Sequence, residues 1–233
     1  GDVFVAGGVE SMSRAPFVMA KGEQAFHRKL DVHDTTIGWR FTNPALSDMH
    51  HPYGMGETAE NLARQFSISR DEQDRFAVLS QQRWTLANEM GFFGDELLPV
   101  DVPQRRADPI HFDTDEHPRP GTTVETLGKL RPAFAKDEQA TVTAGNSSGV
   151  NDGAAALVLM EAELARSEGR EILALVGPSA SAGVDPATMG LGPVPATWKA
   201  LDRAGLTIDD IGLFELNEAF AAQSIACVRE LGL

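Results

Sequence analysis

Apolar residues at helical spacing are most regular between positions 57 and 90. Residues 57 to 66 have this spacing, and Ser69-Arg70-Asp71-Glu72 is a capping-box sequence that begins a second helix reaching about Met90. The second helix carries four apolar residues on one face: Phe76, Leu79, Leu86 and Met90. Gly91 then ends it. The pattern therefore predicts two consecutive helices in the first half of the chain.

The segments on either side of these helices lack a sustained period. Residues 12 to 53 are rich in Met, Pro, Gly and His, which indicates irregular structure with short helices. Residues 97 to 146 carry prolines at positions 99, 103, 109, 118, 120 and 132. This spacing of prolines predicts loops and short edge strands rather than long elements.

The remaining pattern alternates strands with helices. Residues 1 to 8 predict a short buried strand that runs into a glycine turn, and residues 140 to 160 predict a strand, a tight turn of small residues and a buried strand. Further helices are predicted near 161–168, 195–204 and 218–231, and further strands near 172–182 and 211–216. Residues 211 to 216 are apolar on both faces apart from Glu215, as in parallel strands covered by helices on each side. This order predicts an α/β layered fold.

Composition narrows the class of protein. The chain has 233 residues, 42% of them apolar and 23% charged, which fits one or two globular domains. Its longest apolar stretch, Ala154 to Met160, is far shorter than the roughly 20 residues of a membrane-spanning helix. The formal net charge of −14 disfavours nucleic acid and membrane surfaces as partners. Cys227 is the one cysteine, so the chain has no internal disulfide.

Two short motifs suggest chemistry that the rest of the sequence does not support. Gly145-Asn146-Ser147-Ser148-Gly149 matches the nucleophile elbow of α/β-hydrolases. However, all six histidines, at 27, 33, 50, 51, 111 and 117, precede Ser147, whereas that fold has its histidine last. Adjacent His50 and His51 point to different sides of a regular element, so a metal site is not expected. Small residues in the turn would alternatively let a ligand approach the backbone closely.

Three other features have both a functional and a structural interpretation. Asn217 follows a predicted strand and precedes a predicted helix, where α/β folds bind ligands, or it is a simple N-cap. The basic loop of residues 117 to 121, with Lys129 and Arg131, suits a phosphate-bearing ligand or is a solvated loop. Cys227 shares a helical face with Phe220, Ser224 and Leu231, which predicts a buried core position.

Six motifs, in order over the whole chain, resemble the thiolase family. They are Ala6–Ser13, Met55–Asn61, Lys129–Phe134, Thr141–Ala156, Met189–Ala196 and Asn217–Gln223. Within that family, three segments are most similar to the 3-oxoadipyl-CoA thiolases: Ser13–Met19, Asp34–Phe41 and Asp115–Pro120. Neighbouring 3-ketoacyl-CoA thiolases share much of this second set.

The resemblance implies a five-layered α/β/α/β/α thiolase fold, incomplete here, with an inserted loop domain. Residues 1–11 would end the N-terminal half and 12–150 would form the loop domain that covers CoA. Residues 151–175 would return to the N-terminal half, and 176–233 would start the C-terminal half. The two α/β halves of such a fold are similar to each other.

The resemblance also implies roles for single residues. Ser148 would hydrogen-bond the pantetheine arm of CoA, Ala144 and Phe134 would line its tunnel, and Arg119 would lie beside the nucleotide. Asn217 would hold the catalytic water that helps to form an oxyanion hole. Two residues would form walls of the acyl pocket: Met55 and Phe220. Gly54, where many acetoacetyl-CoA thiolases have a histidine, favours a longer or bulkier acyl chain.

The implied reaction is thiolytic cleavage of a 3-oxoacyl-CoA by CoA, which is a substrate, with no metal and no covalently bound cofactor. Three of the four catalytic elements of the family, two cysteine segments and a histidine segment, would lie before Gly1 or after Leu233. We therefore expect both ends to be cuts through a larger protein and the isolated chain to be inactive. The alternatives are a truncated CoA-binding protein without catalysis and an acetoacetyl-CoA thiolase.

Assembly and location follow from the resemblance alone. Family members are usually homodimers or homotetramers, and bacterial ones are cytoplasmic. A targeting signal before Gly1 stays open. A terminal carboxylate on the substrate would need a cation, for which the candidates are Arg14, Arg28 and Arg40.

Overall fold

A computed structural model describes residues 1–233, and the chain divides into two units. The helical unit comprises Ala59–Gly149 and Leu216–Arg229. The strand unit comprises Gly1–Thr58, Val150–Glu215 and Glu230–Leu233. No helix in either unit is both long enough and apolar enough to span a membrane.

Helices dominate the helical unit. They are α2 (Met55–Gln65, with its first four residues in the strand unit), α3 (Arg70–Glu89), α4 (Val124–Leu127) and α7 (Ala221–Leu231). Strands β4 (Val100–Val102) and β5 (Ile110–Phe112) form a small antiparallel pair. The core consists of apolar residues from α2, α7 and the segments between helices, including Leu62, Ile68, Val142, Ala222 and Ile225.

Helix α3 begins where the capping-box sequence predicts. Ser69 is the N-cap, and its side-chain oxygen accepts a hydrogen bond of 3.2 Å from the backbone N–H of Glu72. Met90 is the C-cap, and Gly91 follows with a φ of +77°, a conformation that glycine adopts without strain. The helix buries Gln73 and Asp74, whereas Leu79, Leu86 and Met90 of its apolar face are exposed.

The strand unit is built on an antiparallel ribbon of two eight-residue strands. Strand β1 (Val3–Glu10) pairs with β6 (Gly153–Met160), so that Val3 is opposite Met160 and Glu10 is opposite Gly153. A Cβ atom at Gly7 would lie 2.6 Å from the carbonyl oxygen of Ala155 on the paired strand, which explains why position 7 is glycine. The unit also contains β2 (Phe17–Met19) paired with β3 (Val32–Asp34), and the helices α1 (Pro44–Met49), α5 (Ala162–Ser167) and α6 (Pro193–Ala204). Short 3₁₀ segments lie at Met12–Arg14, Pro186–Leu191 and Ile208–Asp210.

Several predicted strands differ from the structure. The strands at 172–182 and 211–216 are wrong, because those residues have no ladder partner and form no regular element. Residues 140 to 144 also form no strand, and the last helix begins at Ala221 rather than at 218. Strands β1 and β6 exist, but they are not buried: Val5 is 76% exposed and Leu157 is 65% exposed. Apolar patterning indicates that a segment suits a sheet, but the pairing and covering layers depend on other residues.

Candidate functional site

The small-residue turn of residues 141 to 149 is held by side chains rather than by a strand ladder. The amide of Asn146 donates to Oδ1 of Asp74 at 3.0 Å and to the carbonyl of Thr141 at 3.2 Å, and its oxygen accepts from the N–H of Thr143 at 2.8 Å. Ser147 Oγ donates to the carbonyl of Thr143 at 2.6 Å. These contacts give Asn146 a fixed orientation inside the turn.

A second buried carboxylate fixes the start of the same turn. Glu60 on α2 is 1% exposed and accepts hydrogen bonds from the backbone N–H groups of Thr141 and Val142, at 2.9 to 3.0 Å. The Thr141 hydroxyl also donates to Glu60 at 3.0 Å. Backbone donors that a neighbouring strand would otherwise satisfy are therefore satisfied by one carboxylate.

The turn pairs with the segment that leads into α7. Ser148 N–H donates to the carbonyl of Ala219 at 3.0 Å, and Ala221 N–H donates to the carbonyl of Asn146 at 2.9 Å. These two hydrogen bonds join residues 146–148 to residues 219–221, about seventy residues later in the sequence. The pairing brings Ser148 and Asn217 to one cavity of about 290 Å³.

Helix α3 forms a wall of this cavity. The cavity is lined by Phe76, Ala77, Ser80, Gln81, Trp84, His117, Pro118, Gly145, Asn146, Ser147, Ser148, Asn217, Glu218 and Ala221. Ser80 Oγ donates to a Glu218 carboxylate oxygen at 2.6 Å, and Gln81 Oε1 accepts from the N–H of Arg119 at 2.9 Å. The helix thus holds both the segment of Asn217 and the basic loop.

The other predicted site residues of the helical unit do not line this cavity: Phe134, Phe220, Ala144 and Arg119. The rings of Phe134 and Phe220 meet edge to face, with centroids 5.8 Å apart. Ala144 is exposed within the turn, and Arg119 is exposed, with its guanidinium donating to the carbonyl of Glu116 at 2.8 Å. Met55 belongs to the strand unit, where it is the exposed first residue of α2.

The structure decides two interpretations of the motifs: Asn217 as an N-cap and Ser147 as a nucleophile. Asn217 is not an N-cap, because α7 begins at Ala221 and the N–H of Ser224 donates to the carbonyl of Phe220. Ser147 donates its hydroxyl proton to a backbone carbonyl, so it is not aligned with a histidine base. No group of three or more His, Cys, Asp or Glu side chains is arranged to hold a metal ion.

Cys227 lies in the core, as its helical spacing predicts. It is fully buried on α7, and burial raises the pKa of its thiol, partly offset by a hydrogen bond from Gln223. A neutral, inaccessible thiol is a poor nucleophile. The single cysteine of the chain is therefore a packing residue.

Sequence reasoning missed the polar residues that support the site. Glu60, Asp74, Ser80 and Gln81 were not among the candidates, although they hold the turn and the flanking loops. Charged residues are usually on the surface, and the apolar residues of α3 indicated a different face. Two signals were available: Asp74 follows Arg70 by four residues, a spacing that permits an ion pair, and Glu60 lies within the motif Met55–Asn61.

Comparison with known proteins identifies the family. The family model for the thiolase N-terminal domain matches residues 1–163, and the model for the thiolase C-terminal domain matches residues 170–233. The chain belongs to the thiolase family.

Two relatives show which members of the thiolase family the chain is similar to. The chain is 50% identical over 231 residues to a beta-ketoadipyl-CoA thiolase of Acinetobacter baylyi, covering 99% of this chain and 57% of the relative. It is 53% identical over 234 residues to an acetyl-CoA acetyltransferase of Pseudomonas aeruginosa, covering 99% of this chain and 57% of the relative. The chain thus spans little more than half the length of these relatives.

Solved structures confirm the thiolase fold. Human mitochondrial 3-ketoacyl-CoA thiolase matches with a TM-score of 0.86 at 41% identity, covering all of this chain and 57% of the human chain. The structure of human mitochondrial 3-ketoacyl-CoA thiolase in complex with CoA matches with a TM-score of 0.84 at 42% identity, covering 100% of this chain and 56% of that one. The domain boundaries within the fold stay a prediction.

Proposed function

We propose that the natural protein carrying these residues is a thiolase that cleaves a 3-oxoacyl-CoA with CoA, and that 3-oxoadipyl-CoA is its substrate. Family membership and about 50% identity to beta-ketoadipyl-CoA thiolases support this. The structural observation that carries the proposal is the backbone pairing of residues 146–148 with 219–221. This pairing sets Ser148 and Asn217 on one cavity, where a pantetheine arm and an oxyanion would need them.

The turn suits the pantetheine arm of CoA for a chemical reason. Pantetheine is narrow and carries two amides, so it needs small side chains around it and a few hydrogen-bonding groups. Ser148 offers a hydroxyl, Ala144 offers little bulk, and the exposed ring of Phe134 offers an apolar surface. The exposed guanidinium of Arg119 would meet the nucleotide phosphates. A related thiolase structure contains CoA, which supports CoA as the ligand.

The reaction is a retro-Claisen cleavage in two halves. A cysteine thiolate attacks the 3-keto carbon, the C2–C3 bond breaks, and protonation of the acetyl-CoA enolate releases acetyl-CoA. The thiolate of a second CoA then takes the acyl group and frees the cysteine. Asn217 would hold a water that donates to the developing oxyanion. In the family scheme a second cysteine protonates the enolate. Both cysteines would lie outside these residues, because Cys227 is buried.

The specificity for a dicarboxylic acyl chain rests on the family resemblance. Gly54 stands where many acetoacetyl-CoA thiolases have a histidine, and by that resemblance it favours a longer acyl chain. A terminal carboxylate would pair with one of three arginines: Arg14, Arg28 or Arg40. Arg40 is half-buried and donates to the carbonyl of Gly38, so its side chain is the most constrained of the three. Homo-oligomeric assembly and a cytoplasmic location complete the proposal and rest on the family resemblance.

CoA binding without catalysis is the second candidate, and one observation favours it for these 233 residues. Their only cysteine is fully buried in α7 with a raised pKa, so no thiolate nucleophile is available among them. A protein limited to this chain would keep the predicted CoA contacts and lose the chemistry.

The test is a substrate comparison on the natural protein, after its intact mass has been measured. Formation of acetyl-CoA is followed with 3-oxoadipyl-CoA and with acetoacetyl-CoA as alternative substrates. We expect kcat/KM to be roughly tenfold higher for 3-oxoadipyl-CoA, because a half-buried arginine paired with its terminal carboxylate would favour it over acetoacetyl-CoA. Arg40→Ala should raise KM for 3-oxoadipyl-CoA and leave that for acetoacetyl-CoA unchanged.

The outcomes separate the candidates. CoA binding by titration calorimetry without thiolysis of either substrate would favour the second candidate. Preference for acetoacetyl-CoA would reject the dicarboxylic substrate, and equal effects of Arg40→Ala on both substrates would reject Arg40 as the carboxylate partner. A protein that neither binds CoA nor cleaves a 3-oxoacyl-CoA would reject the thiolase proposal itself.

A further inference from the structure

Helix α3 begins with an ion pair that is largely withdrawn from water. Arg70 Nε lies 2.8 Å from Oδ2 of Asp74, one helical turn away, and the Asp74 side chain is 2% exposed. Each partner has a second contact outside the helix. Asp74 accepts from the Asn146 amide through its other oxygen at 3.0 Å. A terminal nitrogen of Arg70 donates to the carbonyls of Leu127 at 2.6 Å and Leu130 at 3.1 Å.

These second contacts reach two separate segments of the proposed CoA site. Asn146 lies in the turn between Ala144 and Ser148. Leu127 and Leu130 begin the segment that continues to Phe134. One ion pair therefore holds both walls along which the pantetheine arm is proposed to run.

The two walls also pack directly against each other. A side chain at Gly145 would come within 2.6 Å of a methyl group of Leu127 and of a methyl group of Leu130. The N–H of Ala133 donates to the carbonyl of Val142 at 2.9 Å. A small displacement of one segment would thus move the other, including Phe134.

We propose that Arg70 and Asp74 are a positioning pair that sets the spacing of the two CoA-binding segments, residues 127–134 and 143–148. The inference rests on the proposed CoA site. Neither residue touches the substrate in this scheme; each acts through the backbone or side chain that it holds. Breaking the pair leaves a buried charge without its partner, and the segments shift to solvate it.

The same helix offers a matched control. Arg75 Nε and Asp71 Oδ2 form another pair at the same i, i+4 spacing, 2.7 Å apart, with side chains 68% and 60% exposed. That pair contacts solvent and holds neither segment. A helix-wide effect of removing one carboxylate would appear in Asp71→Asn as well as in Asp74→Asn.

The experiment measures CoA binding by the natural protein with titration calorimetry and KM for CoA in the thiolysis assay. In Asp74→Asn the shape is kept but the charge that holds Arg70 is lost, so Kd and KM for CoA should rise about tenfold. Arg70→Lys keeps the charge but cannot reach both carbonyls with one ammonium group, so a rise of roughly threefold is expected. Asp71→Asn should leave both constants within error, and kcat should change less than twofold in all three variants.

The readout distinguishes positioning from stability. Irreversible loss of folded protein lowers Vmax without changing Kd or KM, whereas reversible unfolding raises the apparent Kd only by the inverse of the folded fraction. The folded fraction is read from the melting curve of each variant, so a rise of about tenfold in Kd of a protein that is more than half folded is not due to unfolding. If both Asp74→Asn and Arg70→Lys lower the melting temperature and leave Kd for CoA unchanged, the pair is only structural and the inference is wrong. An effect of Asp71→Asn equal to that of Asp74→Asn would also overturn it.

The experiment still tests the inference if Asp74→Asn does not fold or if the unmodified protein does not bind CoA. If Asp74→Asn does not fold, Arg70→Lys decides, because it keeps the buried carboxylate neutralised. If the unmodified protein does not bind CoA, the proposed function has failed, whereas normal CoA binding with unaffected variants would reject the positioning pair alone.

Discussion

The helical unit contains most of the buried side chains, polar ones included, whereas the two long strands of the strand unit expose their apolar residues. Glu60, Asp74 and Asn146 of the helical unit are at most 2% exposed, and each is hydrogen-bonded. Gln73 Oε1 is the only buried side-chain oxygen or nitrogen without a partner. In the strand unit, Val5 and Leu157 of the β1–β6 ribbon are largely exposed.

The difference shows which contacts each unit supplies for itself. Burying a polar group is favourable only if its hydrogen bonds are replaced, and the helical unit replaces them with its own residues. A two-stranded ribbon with both faces exposed gains little from apolar burial and is marginal by itself. Mutations should therefore affect the two units very differently, even where the same side chain is removed.

The largest contrast is expected between two leucine truncations. Leu62 on α2 is 0% exposed, so Leu62→Ala should lower the free energy of unfolding by about 2–5 kcal/mol through lost burial and a cavity. Leu157 on β6 is 65% exposed, so Leu157→Ala should cost less than about 0.5 kcal/mol. Urea unfolding of the two variants beside the unmodified natural protein measures both costs.

This comparison can fail in an informative way. If Leu157→Ala costs as much as Leu62→Ala, the ribbon is covered in the natural protein by another segment or another chain. Val158→Ala, on the opposite face of β6 and 72% exposed, would then show whether one face or both are covered.

Local sequence patterns predicted the helices well. The bounds of α3 follow from Ser69 and Gly91, because capping and left-handed backbone depend on neighbouring residues only. Strand predictions were less successful, since a strand depends on a partner distant in sequence. Residues 172–182 and 211–216 have the composition of buried strands and no partner in the structure.

Only part of the site was predicted, because local motifs are visible in the sequence and contacts between distant residues are not. The small residues of the turn and Asn217 are visible as motifs, and the structure brings Ser148 and Asn217 to one cavity. The carboxylates that hold the turn are not visible, because nothing in the local sequence shows which distant groups Glu60 and Asp74 contact. Only the folded chain shows that their hydrogen-bond partners lie seventy or more residues away.

A smaller effect is expected from neutralising the buried Glu60. Glu60→Gln keeps the volume but turns an amide N–H₂ towards the donors of Thr141 and Val142, so at least one N–H loses its acceptor. Loss of a hydrogen bond to a charged group costs about 1.5–3 kcal/mol. Urea unfolding of Glu60→Gln measures the cost.

Glu57→Gln on the same helix is the control for Glu60→Gln. Glu57 lies in the strand unit, is half-buried and accepts one bond, from the N–H of Gly54 at 2.7 Å. Its loss should cost less than half as much. Equal costs for the two variants would contradict the view that buried carboxylates organise the helical unit.

The smallest expected effect, and the most local, concerns the thiol of Cys227. Burial raises its pKa above the ordinary value of 9.0, so the folded protein holds it neutral and inaccessible. Alkylation by iodoacetamide, followed by mass spectrometry of the Cys227 peptide, should be slow in buffer and fast in denaturing urea. Val158→Cys, introduced on the exposed strand β6, should be alkylated at the same rate in both.

Because the folded-state pKa of Cys227 is raised, the stabilising contribution of the neutral thiol is complete below the unfolded pKa and is lost as pH rises through the folded value. The urea midpoint should therefore decline above about pH 9, and Cys227→Ser should remove that part of the decline. Rapid alkylation of Cys227 in buffer would show that α7 is not packed as the helical unit requires, and the contrast between the two units would lose its clearest marker.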